Sequence, residues 1–112
     1  MDEITILRID TLLKRINEVL EDTKDVSFEE LSNSSVLLRA TCFSIMQIGE
    51  MMNKLKETLG EKYKDLPWLD AYTMRNVIVH DYSKVNVRVV YLTIKDNLPP
   101  LKTAFEQIRE EL

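Results

Sequence analysis

The sequence predicts an all-α fold, an up-and-down bundle of four to five helices. Three observations lead there. Apolar residues recur at the three-and-four spacing of a buried helix face along most of the chain. Two glycines and three prolines in 112 residues leave little turn material for a sheet. With 45% hydrophobic and 30% charged residues, the composition is that of a globular domain. The length suits one domain spanning 1–112, large enough for one core and small enough to gain from a partner.

Residues 4–22 read as the first amphipathic helix. Ile6, Ile9, Leu13, Ile16 and Leu20 make its stripe, which Leu12 and Val19 widen. Arg8, Lys14, Arg15, Glu18 and Glu21 form the solvated face. A polar break follows at Asp22–Val26. Ser27 with Glu30 three residues on has the form of a capping box opening a short turn of helix. A long helix is expected from Ser34 to Leu59, its period kept by Leu37, Ala40, Phe43, Ile48, Met52 and Leu55. Gly60 ends it. Gly49 inside it costs about 1 kcal/mol relative to alanine, which predicts close approach of another helix. Met46, Met51 and Met52 fall on or beside the apolar stripe and suit core or dimer packing.

Pro67 fits the first turn of the next helix, expected over Pro67–His80 and anchored in the core by Trp68 and Leu69. Asp81–Val85 reads as a loop. Asn86 caps a helix over Val87–Asn97. Pro99-Pro100 is expected to break or kink the chain. Leu101–Leu112 closes it, with Leu101, Phe105 and Ile108 buried. No repeat, low-complexity tract or linker interrupts this order.

Composition also bounds the function. The formal charge of −4 argues against broad, sequence-independent nucleic-acid binding, so any contact with RNA must come from a local patch. The single cysteine, Cys42, sits in an apolar run and reads as a small core residue; a reducing compartment fits. No apolar run approaches the roughly 20 residues of a membrane span. The acidic start, Met1-Asp2-Glu3, lacks a signal-peptide layout, so a cytoplasmic location is expected. One histidine and one cysteine, far apart, offer no zinc-ligand spacing, and there is no Gly-rich phosphate loop. No metal or cofactor is expected.

The stretch with chemistry in it is Met74–Tyr82, Met-Arg-Asn-Val-Ile-Val-His-Asp-Tyr. Polar groups crowd both ends of the apolar triplet Val77-Ile78-Val79, unlike the alternation of a surface helix. Arg75 is permanently charged and presents a planar fork suited to phosphate. His80, the only histidine, titrates near neutrality and can move a proton. Asn76 shares a helix face with His80 at i and i+4. Arg75 and His80 stand about 140° apart around an ideal helix. They converge on one ligand only if the helix ends near His80 or a second copy faces the first. The structural alternatives are an ion pair of Arg75 with Asp70, Asp81 or Glu50, and a Tyr82 that plugs the bundle end with its hydroxyl in water.

Arg75-Asn76-x-x-x-His80-x-Tyr82 resembles the Arg-x4-His-x-Tyr signature of HepT-like proteins of the HEPN superfamily. Pro67-Trp68 upstream, Gln47-Ile48-Gly49-Glu50 in the long helix and Leu98-Pro99-x-Leu101 near the end match further family segments, so the resemblance covers nearly the whole chain. It implies a homodimer with a shared cleft and metal-independent cleavage of RNA. Arg75 and His80 would be the catalytic pair, with Asn76 supporting the phosphate. It further implies a toxin–antitoxin pair of type II/VII-like character. There a MntA-type minimal nucleotidyltransferase antitoxin transfers AMP to the motif's tyrosine, here Tyr82. The chemistry asks for the same pairing. Cleavage by a ribose 2′-hydroxyl needs a base and an acid, and one chain supplies one imidazole; a two-fold dimer supplies two. The alternative is a non-catalytic module that presents a nucleotide or substrate to the nucleotidyltransferase. The Arg75–His80 pair favours the nuclease, and the net negative charge favours the module.

Overall fold

The computed structural model describes residues 2–70 and 85–112. Among these residues the secondary structure is helical, with no strand. The elements are α1 (Glu3–Asp22), α2 (Phe28–Asn33), α3 (Ser35–Leu59), α4 (Val87–Leu92), a π-helical turn (Thr93–Asn97) and α5 (Leu98–Glu110). The all-α bundle expected from the sequence is the fold observed.

Four helix starts carry a polar capping side chain, and two of these caps, Ser27 and Asn86, are the ones the sequence assigned. Asp2 accepts from the Thr5 amide at 2.7 Å, and this bond holds its carboxyl below the usual range. Ser27 and Glu30 form the expected capping box: the Glu30 amide donates to Ser27 Oγ at 3.1 Å and the Ser27 amide to Glu30 Oε1 at 3.4 Å. Ser34 caps α3 through the Leu37 amide, and Asn86 caps α4 through the Arg88 amide. At the far end of α3, Gly60 keeps right-handed torsions (φ −59°, ψ −38°) and donates to the Lys56 carbonyl at 2.9 Å. A Cβ at position 60 would stand 2.6 Å from that oxygen, so crowding, not a left-handed turn, accounts for the glycine.

The core lies between α1, α3 and α5, with α1 packed along both partners. The stripe of α1 is centred on Ile9, Leu12, Ile16 and Val19, all buried, while Leu13 and Leu20 flank it. Met52, Leu55, Leu59, Phe105 and Ile108 meet them from the other helices. Each such side chain contributes roughly 1.5–3 kcal/mol when fully buried. Cys42 is buried, as its apolar surroundings predicted. Three apolar positions assigned to the buried faces are not in the core: Ala40 is exposed, Phe43 is 56% exposed and Leu69 is 68% exposed. Phe43 lies on the face of α3 opposite Ile45 and Ile48, so its spacing fits the helix but not the buried side.

The proline pair does not break the chain. α4, the π turn and α5 run on as one helical path from Val87 to Glu110. The Leu98 amide donates to the Thr93 carbonyl, five residues back instead of four. Pro99 and Pro100 then fall in the first turn of α5, where a missing N–H is tolerated. The wider turn also carries Lys95, whose Nζ donates to the Thr23 carbonyl at 2.9 Å and places a cation at the C-terminus of α1.

Candidate functional site

The four candidate residues Arg75, Asn76, His80 and Tyr82 lie at 71–84, outside the described residues, as does the alternative partner Asp81. The expected helix Pro67–His80 is described only at its start, where Trp68–Asp70 has helical backbone. What the structure defines is the frame from which this segment leaves and to which it returns.

The departure point is fixed by Trp68. Its indole is buried, its Nε1–H donates to the Tyr63 carbonyl at 3.0 Å, and its ring meets Phe105 edge-on at 5.9 Å. Tyr63 in turn donates its hydroxyl to Glu111 at 2.8 Å, an acceptor that raises the phenol's own pKa. The hydroxyl and indole thus tie the connection after α3 to the end of α5. The return point is Val85, packed on the core, followed by the Asn86 cap.

Between these points lies a groove of about 530 Å³. Ile45, Ile48 and the buried Gly49 of α3 form one wall. Leu66 and Pro67 form a second, and Leu92, Leu98 and Leu101 a third. Asp65, Asp70 and Asp96 stand around it, and no lysine, arginine or histidine is among its described lining residues. Gly49 therefore belongs to the wall of a cavity. The groove begins at Asp70, the last described residue before the motif, and reaches Val89, four residues past Val85.

This frame decides some chemistry. Cys42 is no nucleophile: burial pushes its thiol up to about 11, so it stays protonated at neutral pH. Among the described residues, no group of three or more histidine, cysteine, aspartate or glutamate side chains is placed to hold a metal ion. No helix among them is long and apolar enough to cross a membrane. The described lining of the groove brings three carboxylates and no cation, and the sequence's candidate for a phosphate, Arg75, lies outside the described residues. The groove itself was missed from sequence; its one signal was Pro99-Pro100, which the π turn accommodates.

The family profile described as "Ribonuclease HepT-like" matches residues 9–108. The chain belongs to the HepT-like family. Relatives agree along its length. The chain is 30% identical over 103 residues to "Putative RNase TTE0752" of Caldanaerobacter subterraneus subsp. tengcongensis, covering 92% of each protein. It is 30% identical over 101 residues to "Putative RNase MJ0125" of Methanocaldococcus jannaschii, covering 90% of this chain and 87% of that one. It is 26% identical over 102 residues to "Probable ribonuclease HepT" of Thermococcus cleftensis, covering 91% and 93%. No solved structure matches the chain. The HepT-like match spans the whole of 71–84, so Arg75, Asn76, His80 and Tyr82 fall inside the family region.

Proposed function

We propose that this HepT-like protein is a metal-independent endoribonuclease that acts as a homodimer of one-domain chains. The observation that carries the reading is the family match over 9–108, with Arg75, Asn76, His80 and Tyr82 at the signature spacing within it. The names of the relatives, all read as RNases, support the same substrate class.

In this mechanism one His80 imidazole takes the proton of a ribose 2′-hydroxyl. The freed oxygen attacks the adjacent phosphorus and forms a 2′,3′-cyclic phosphate. The bond from phosphorus to the 5′-oxygen breaks, and His80 of the second copy protonates the leaving oxygen. Arg75 and Asn76 hold the phosphate oxygens as negative charge builds there. Two copies around one cleft also concentrate positive charge on an otherwise acidic protein. The biological setting is a toxin–antitoxin pair in the cytoplasm, with a minimal nucleotidyltransferase as antitoxin. That partner transfers AMP from ATP to the Tyr82 hydroxyl and releases pyrophosphate. The added phosphate lies two residues from His80 and competes for Arg75.

The acidic groove and the charge of −4 favour a second reading, a non-catalytic partner that presents a nucleotide or substrate to the nucleotidyltransferase. The experiment is to incubate the purified protein with RNA in excess chelator. The nuclease reading expects cleavage that falls by about 100-fold or more in Arg75→Ala and His80→Ala, with circular dichroism unchanged and a dimer by light scattering. Intact RNA with wild type, together with tight binding of the nucleotidyltransferase, establishes the second reading instead.

A further inference from the structure

The charge of −4 leaves a nucleic acid only a local patch to grip, and one such patch lies where α2 meets α4 and the π turn. The rings of Phe28 and Tyr91 stand edge-on, 5.9 Å between centroids and 86° between planes. The Arg88 guanidinium lies over the Phe28 ring at 5.4 Å, and the Lys95 ammonium over the Tyr91 ring at 5.5 Å. Lys95 also donates to the Thr23 carbonyl, which leaves two of its three N–H groups. Arg88 is exposed, and both rings and Lys95 are half-buried. Among the described residues no carboxylate pairs with Arg88 or Lys95, and no hydrogen bond engages the Arg88 guanidinium or the Tyr91 hydroxyl. In a chain where 19 carboxylates outnumber 15 lysines and arginines, two cations held on ring faces without an acid are a surplus of local charge.

We infer that this cluster is a contact site for single-stranded RNA, separate from the motif at 75–82. The inference rests on the ribonuclease reading, which supplies the substrate class. Arg88 takes one phosphate through its fork of donors, and Lys95 takes another as a point charge. Their separation along the helical path is about 10 Å, which suits a short run of nucleotides and not a single one. The exposed parts of the Phe28 and Tyr91 rings offer surface to the bases between them, and the Tyr91 hydroxyl can answer a ribose 2′-hydroxyl. The rings and the Thr23 carbonyl already hold the two cations in place, so little side-chain freedom is lost on binding. Neighbouring charge limits the affinity. Lys24 and Asp25 offset each other in the connector, and Glu29, exposed and next to Phe28, opposes a phosphate. Arg88 lies six residues past Tyr82, at most about 20 Å of chain, so RNA held here is within reach of the motif. An acidic peptide meets the same cations but brings no bases to the rings, and this difference separates the two occupants.

The test uses the full chain carrying His80→Ala, so that RNA stays intact, and a fluorescent oligouridylate followed by anisotropy. Adding Arg88→Gln is expected to weaken binding by about fivefold or more and to flatten the slope of log K against log salt by about 0.7, the loss of one phosphate contact on a single strand. Tyr91→Leu keeps an apolar side chain but no ring, and is expected to weaken RNA by about tenfold while leaving a polyglutamate peptide unchanged. Glu29→Gln is expected to tighten RNA. The ring protons of Phe28 and Tyr91, observed without any substitution in the patch, are expected to shift on adding RNA, which reads the site even where a variant unfolds. RNA binding unchanged by Arg88→Gln, or ring resonances that stay in place, overturns the inference. Equal ring shifts with polyglutamate overturn it too, in favour of an acidic-peptide site. Cleavage by the unsubstituted chain is read separately. Cleavage with an inert patch defeats this inference alone, and a patch that binds RNA in a chain that never cuts defeats the nuclease reading alone.

Discussion

The Trp68 indole donates to the Tyr63 carbonyl at 3.0 Å while its ring stands edge-on to Phe105 at 5.9 Å. One side chain thus ties the end of α3's connection to α5 and sets where the motif segment leaves the core. Trp68→Ala is expected to cost about 3–5 kcal/mol of stability. Trp68→Phe, which keeps a ring but loses the donor, is expected to cost about 1 kcal/mol. Urea unfolding of both variants checks the difference.

The π turn directly precedes the proline pair, whose missing amides deny the Lys95 and Asp96 carbonyls their i+4 donors. In Pro99→Ala/Pro100→Ala the new amides face the Lys95 and Asp96 carbonyls at i+4. Both are expected to exchange with deuterium at least about tenfold more slowly than coil amides, as the turn tightens to α geometry. Exchange at the coil rate means that the packing of Ile94 and Leu98 sets the wide turn without the prolines.

Burial of Cys42 predicts a pH dependence. Its folded pKa, about 11, lies above the ordinary thiol value of about 8.5. Between these values the unfolded chain releases a proton that the folded chain retains. This contribution is complete below about pH 8.5 and is lost as pH rises toward 11. The urea midpoint is expected to fall more steeply over that window in wild type than in Cys42→Ala.

Tyr82 separates modification from cleavage. Tyr82→Phe removes the hydroxyl that accepts AMP and leaves Arg75 and His80 intact. Incubation with ATP and the cognate nucleotidyltransferase is expected to add an adenylate to wild type and none to the variant. RNA cleavage by the variant is expected to stay within a few-fold of wild type. Intact mass and a cleavage assay measure the two outcomes.

The capping box at Ser27 and Glu30 stabilises α2 locally. Ser27→Ala is expected to cost about 1 kcal/mol, read as a shift in the urea midpoint with unchanged slope.

Much of this architecture is local physics, and local physics is legible in a sequence. Ser27 with Glu30 and Asn86 mark helix starts because their side chains answer amides two or three residues away. The period of α1 and the run of α3 to Leu59 follow from which residues can share a helix face. The motif from Arg75 to Tyr82 was likewise visible from residue type and spacing, and the family match encloses it. Tertiary packing decided what spacing leaves open. Phe43 and Leu69 have apolar side chains but face outward, because a helix period fixes relative angles and not which side meets a neighbour. Pro99-Pro100 denies two amides to a helix, yet only the fit of Ile94 and Leu98 into the core shows that the chain widens by one residue instead of stopping. The acidic groove joins Asp65, Asp70 and Asp96 from two distant stretches of chain, a convergence that no local pattern encodes.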